Sequence, residues 1–293
     1  MKIIHFADEI KKNPRSQKYA LVPFYKNGKP LKNAKKWGMT CLKAGTMRFR
    51  WNEENPKRAE FFDLLFNDFK IPCSGSCVGQ KNTCDCKKKL VPLELIHSKI
   101  VYKIHCEKDT FQKQGDGLVT DTDFLVPSVT VGDCVPIYFY DDEKRVFAIV
   151  HSGWKGTGII GEAVKKAVCE YGCNIKNICV AIGPHICSDC YIVDSERAEY
   201  FTQNFGSECI KIVKKEEKPE YHLSLTQANL FVLKKMGLLE ENITLADDCT
   251  CCTKYDDGSF VYGSFRRQAA SLPSETPPDV RSHSMTVQAA FVI

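Results

Sequence analysis

Residues 145–158 read RVFAIVHSGWKGTG. The apolar run Val146 to Val150 has the length and β-branched content of a buried strand, and it ends in His151. Gly153, Gly156 and Gly158 then make a tight turn, and residues 158–171 follow with helical spacing. In that helix Ile160, Val164 and Val168 form one face and Gly172 supplies the C-cap. Strand, turn and helix in this order bring a histidine to the end of a sheet. Just upstream, Gly132-Asp133-Cys134-Val135-Pro136 puts an acid and a thiol into another apolar run. The expected hairpin joins 128–140 to 145–150 around Asp141-Asp142-Glu143-Lys144.

Outward from this centre, Pro56 to Phe69 reads as a helix with Phe61, Leu64, Leu65 and Phe69 on its apolar side. Leu90 to Lys103 reads as strand-rich, with His97 inside it. Asn177 to Ile182 is another buried strand, and Gly183-Pro184 is its turn. Helices are expected over 194–205 and over 224–236, where Ser224 and Gln227 have capping-box spacing before Gly237. The stretch 271–284 contains Pro273, Pro277 and Pro278 and reads as a loop, and 289–293 as a final strand. Strands and helices are mixed without a clean βαβ alternation. The expected fold class is α+β: one layered domain over 1–293 with mixed sheets packed between helices, α-β-β-α in type.

Composition narrows the function. The chain has 293 residues, 43% of them hydrophobic and 26% charged, with a net charge of +5. That is an ordinary soluble composition, and the short lysine runs at 87–89 and 214–215 do not make a nucleic-acid surface. The charged start, Met1 to Lys18, lacks the apolar core of a secretory signal, and no run approaches the roughly 20 apolar residues of a membrane span. A cytoplasmic protein is expected, with no nucleic-acid or membrane partner.

His97, Cys134 and His151 each fall in or at the end of an expected strand. Two imidazoles and a thiolate suit Zn(2+) or copper with one position left for water, whose pKa would fall from 15.7 toward about 7. On the sequence pattern alone the reading of the three as separate buried residues prevails, because their spacing in the chain joins nothing. Asp133 beside Cys134 is either a proton-transfer and ligand-orienting group or a carboxylate capping backbone amides. Lys155 by the Gly-rich turn and the pair Arg266-Arg267 are candidate anion contacts.

These segments resemble the laccase-domain or polyphenol-oxidase (YfiH-like) family. The residues that carry the likeness are Leu95-Ile96-His97-Ser98, Gly115-Asp116-Gly117-Leu118-Val119-Thr120, Gly132-Asp133-Cys134-Val135-Pro136 and His151-Ser152-Gly153-Trp154-Lys155-Gly156-Thr157. Gly183-Pro184-His185-Ile186, Cys190-Tyr191-Ile192-Val193, Cys249-Thr250 and Ser264-Phe265-Arg266-Arg267 continue it, from about Trp37 to the end. Lys155 stands where the family pattern has Arg. The resemblance implies a catalytic zinc on His97, Cys134 and His151. It also implies phosphorolysis of purine nucleosides and hydrolytic deamination of adenosine, with nucleosides and phosphate as partners. The rival readings are a copper-dependent polyphenol oxidase, a metal-free hydrolase with Cys134 as nucleophile and His151 as base, and a metal-binding protein without catalysis.

The chain has 16 cysteines. Cys73, Cys77, Cys84 and Cys86 form C-x3-C-x6-C-x-C in a Cys-rich insertion at 73–89, a candidate second metal site. Cys187 and Cys190 make a C-x-x-C, a spacing of redox or metal sites, which the resemblance sets in a pocket wall. Cys249, Cys251 and Cys252 form a further group.

Overall fold

The computed structural model describes residues 1–13, 16–69 and 88–293. The candidate site at Cys73, Cys77, Cys84 and Cys86 therefore lies outside the described residues. Two mixed sheets form the centre. From edge to edge the seven-stranded sheet contains Lys2–Ile4, Ile243–Ala246, Ile178–Ile182, Val135–Asp141, Phe147–Ser152, Gly117–Thr120 and Val101–Lys103. The five-stranded sheet runs Tyr19–Pro23, Lys36–Thr40, Gln288–Val292, Leu125–Val131 and Lys89–Pro92.

Side-chain alternation along each strand splits the core into layers. Ile137, Phe139, Ala148 and Val150 face the helices Ile159–Tyr171, Ser195–Phe205 and Leu225–Lys235. Their neighbours Tyr138, Tyr140, Phe147 and Ile149 face the other sheet and meet Trp37, Val129 and Val292 there. On the far side of the five-stranded sheet, Phe291 and Val126 pack under Phe61, Phe62 and Leu65 of helix Pro56–Asp68. The order is helix, sheet, sheet, helices, the α-β-β-α arrangement expected. Strands buried on both faces explain why they read as continuous apolar runs. Among the described residues no helix is long and apolar enough to cross a membrane.

Several local expectations are corrected. Strand Leu125–Val131 belongs to the five-stranded sheet, so the hairpin partner of Phe147–Ser152 begins only at Val135. The chain changes sheets at Gly132-Asp133-Cys134, where Asp133 has φ of +91°. His97 lies in a turn between Lys89–Pro92 and Val101–Lys103, with φ of +59°. Leu64 is exposed, because Phe62 takes the buried face of its helix together with Phe61 and Leu65; Val168 is likewise exposed. The proline-rich stretch 271–284 contains helix Pro278–His283, since a proline at the first helical position starts a turn.

The helix caps follow the sequence. Ser224 accepts a hydrogen bond from the Gln227 amide at 3.2 Å, at the start of Leu225–Lys235. Ser224→Ala is expected to destabilise the fold by about 1 kcal/mol, measured by urea unfolding with an unchanged m-value.

Candidate active site at one end of the seven-stranded sheet

Four neighbouring strands deliver the chemistry to one end of the sheet. His151 pairs in register with Pro136, so the end of Phe147–Ser152 lies beside Cys134, just before Val135–Asp141. On the other side Val150 pairs with Gly117, which sets Asp116 at the same end. Gly117 in turn pairs with Val101, and the turn that carries His97 leads into that strand. Donor atoms of His97, Cys134 and His151 all lie within 4.8 Å of one another. The two imidazole centroids are 4.9 Å apart and nearly perpendicular.

Asp116, within the Gly115-Asp116-Gly117 segment, organises the group. Its carboxylate accepts from His151 Nδ1 at 2.9 Å, from the His97 amide at 3.0 Å, and from the Ser98 amide and hydroxyl at 2.6 and 2.7 Å. The first bond fixes the His151 ring and leaves Nε2 toward Cys134. The amide bonds hold His97 in its left-handed turn. Burial would raise the Asp116 pKa, but the His151 and Ser98 hydrogen bonds outweigh it and lower it. Asp116→Asn is expected to weaken metal binding by about tenfold, measured by competition with a chelator of known affinity.

The surroundings of the thiol favour its ionised form. Burial alone would raise Cys134, yet the facing His151 and His97 rings bring it down to about 6. Burial would lower His151, but the Cys134 sulfur and Asp116 push it up to about 10. Each group thus favours the charged form of the other, and the thiolate is the form that binds metals. Gly153 makes room for the cluster. A Cβ there would sit 2.9 Å from His97 Cδ2 and 3.1 Å from Cys134 Sγ.

The three donors lie in a cleft of about 690 Å3. Its wall carries the aromatic rings of Phe49, Trp154 and Tyr191 and the five arginines Arg48, Arg50, Arg197, Arg266 and Arg281. Asp133 is the only carboxylate in that lining among the described residues, and its charge is already engaged. It accepts from Thr250 Oγ1 at 2.6 Å, Ser264 Oγ at 3.0 Å and the Arg266 amide at 2.6 Å. Burial raises the Asp133 carboxyl, and these bonds pull against that rise. From outside the lining Glu53 pairs with Arg48 at 2.9 Å and Asp194 lies 3.8 Å from Arg197, and the remaining excess of guanidiniums makes the cleft cationic and suited to an anion.

The candidate anion contacts divide. Arg266 lines the cleft, with its guanidinium 5.4 Å from the Tyr191 ring centroid and a bond of 3.1 Å to the Ile192 carbonyl. Arg267 is not in the lining; it donates to the carbonyls of Thr250, Cys251 and Tyr262. Adjacent residues at a helix start diverge by about 100°, so only one of the pair reaches the cleft. Lys155 is exposed, outside the lining, with its ammonium 5.4 Å from the Trp154 ring centroid. The sequence reading did not select Asp116, Arg48, Arg197 or Arg281. Asp116 could have been found from its Gly-Asp-Gly segment, whereas the isolated arginines look like surface charge until the cleft exists.

The layered fold and this constellation define a class, and comparison with known proteins agrees. The chain belongs to the family described as multi-copper polyphenol oxidoreductase laccase, whose pattern matches residues 78–271. An adenosine deaminase, RL5, from an unknown prokaryotic organism is 35% identical over 138 residues, 47% of this chain and 53% of that protein. A purine nucleoside phosphorylase of Clostridium acetobutylicum is 33% identical over 181 residues, 61% of this chain and 71% of that one. The matched stretch thus spans about half the length of the first relative. YlmD from Geobacillus stearothermophilus shares the fold, with a TM-score of 0.67 over 89% of this chain and 92% of that chain at 22% identity.

Proposed function

We propose that the protein is a zinc-dependent enzyme of purine nucleosides, cleaving the N-glycosidic bond with phosphate and deaminating adenosine with water. The observation that carries this reading is the convergence of His97, Cys134 and His151 at the floor of a cleft walled by arginines and aromatic rings. The names of the relatives support it, since they include purine nucleoside phosphorylases and an adenosine deaminase.

The donor set fits the metal: two imidazoles, one of them oriented by a carboxylate, and one thiol already lowered. When bound, zinc supplies Lewis acidity and makes water a better nucleophile near neutral pH. The other roles belong to the chain. Arg266 and Arg197 supply the positive field for phosphate, a guanidinium being well matched to phosphate oxygens, whereas Arg48 is already paired with Glu53 at 2.9 Å. Trp154 and Tyr191 line the cleft with the Arg197 and Arg266 guanidiniums 4.3 and 5.4 Å from their ring centroids, so a purine would stack against a ring beside a cation or in its place. Asp133 fixes the Arg266 backbone, so we assign it a positioning role. In phosphorolysis a phosphate oxygen bonds to ribose C1′ while the C1′–N9 bond breaks, giving the free base and ribose-1-phosphate.

The test is direct. Pure protein with adenosine and phosphate is expected to give adenine and ribose-1-phosphate, and without phosphate to give inosine and ammonia. Absence of both products from fully metallated protein would overturn the reading. A His2Cys set also matches a type 1 copper centre, and Met285 lines the same cleft. An intense visible band from the as-isolated protein would favour that reading instead. A three-copper oxidase is poorly served, because the chain has seven histidines and the metal-donor groups among the described residues contain two of them.

A further inference from the structure

Two C-x-x-C pairs that lie far apart in the chain meet in the fold. Cys187 and Cys190 follow strand Ile178–Ile182, while Cys249 and Cys252 follow strand Ile243–Ala246. The two strands are parallel neighbours, with Ile182 in register with Leu245. Both pairs therefore emerge at the same end of the sheet. A parallel bridge between His185 and Cys249, with the Thr250 amide donating to the His185 carbonyl at 3.0 Å, extends this pairing into the loops. The four sulfurs all lie within 4.8 Å of one another.

We propose that Cys187, Cys190, Cys249 and Cys252 form a tetrathiolate site for a structural zinc ion, sharing no ligand with the His97, Cys134 and His151 centre. Zinc–sulfur bonds of about 2.3 Å in a tetrahedron place sulfurs about 3.8 Å apart, so the sulfurs need only a small inward adjustment. The local backbone is that of a ligand turn. A single 3-10 turn, Ser188–Cys190, with the Cys190 amide donating to the Cys187 carbonyl at 3.1 Å, brings the first pair of thiols together. The Cys187 amide donates to Cys249 Sγ at 3.2 Å, a bond that stabilises sulfur as thiolate. Four protein sulfurs leave no open position, the mark of a structural rather than a catalytic site.

The location gives the ion a purpose. The loop of Cys187 and Cys190 also carries Ile186 and Tyr191, both in the cleft wall. The loop of Cys249 and Cys252 carries Thr250, whose hydroxyl holds Asp133 and through it the Arg266 amide. Arg267 ties the same loop down through the Thr250 and Cys251 carbonyls and places a positive charge beside the anionic site. Zinc would clamp two loops that have little regular structure of their own, and so fix one wall of the cleft.

The experiment uses the full chain with Cys134→Ala to disable the first centre, and with Cys73, Cys77, Cys84 and Cys86 changed to serine. Purified anaerobically from zinc-supplemented medium, it is expected to hold one zinc per chain. X-ray absorption should show an all-sulfur shell at about 2.3 Å. Adding Cys190→Ser and Cys252→Ser should abolish that zinc and lower the melting temperature. Should this last variant fail to fold, the metal content and sulfur shell of its parent still decide the matter. A parent with no zinc, with iron instead, with nitrogen or oxygen in the shell, or with a disulfide between these cysteines in an unreduced digest would overturn the proposal.

Discussion

Cys134→Ala is expected to lower nucleoside turnover by roughly 10^3-fold, the several kcal/mol that a Lewis-acidic metal contributes. The substitution removes the only sulfur of the three-donor group, leaving His97 and His151. Two imidazoles hold zinc far more weakly than three ligands. The protein should therefore lose one equivalent of metal together with its activity, as read by elemental analysis and product formation. Because Cys134 is only half-buried, the lost packing costs little, and the melting temperature should fall only by what the bound metal contributed. Chelation followed by zinc should abolish and then restore wild-type activity. A thiol hydrolase built on Cys134 and His151 would survive the chelator and die on alkylation, and that result would reject the metal reading.

Gly153→Ala should cost on the order of 10^2-fold in kcat/KM, the effect of displacing a reacting group by about 1 Å. The new methyl would stand 2.9 Å from His97 Cδ2, which must shift, and 3.1 Å from Cys134 Sγ, a tight contact. Gly153 has no positive φ, so alanine meets no backbone strain there. His97 is the exposed partner and is the ring free to swing away. Metal affinity should fall with activity, while the thermal transition of the metal-free protein stays put. Wild-type affinity and rate in this variant would mean that the three side chains do not close on one ion.

How much of this was legible depends on the range of the forces involved. Helix Ile159–Tyr171 begins after Gly158 and stops at Gly172, both with positive φ, because caps and glycine conformations act over a few residues. Strand Phe147–Ser152 was legible for the same reason, as a short run of large apolar residues. The turn at His97 was not, since it is held open by a carboxylate 19 residues away. Leu64 and Val168 were misplaced because a helix chooses its buried face partly by what lies opposite. Arg266 and Arg267 are indistinguishable as a dipeptide, yet one lines the cleft and the other binds carbonyls.

Strand Phe147–Ser152, the helix caps, the glycine turn beside His151 and the stock of donor types were readable from local residues. Which donors meet was not. Strand pairing set Asp116, Cys134 and His151 at one end of a sheet, and parallel pairing of 178–182 with 243–246 brought one C-x-x-C onto the other. The physical reason is that backbone hydrogen bonding and burial between strands fix positions far apart along the chain, as Ile182 against Leu245, and no local pattern records which strand becomes the neighbour of which.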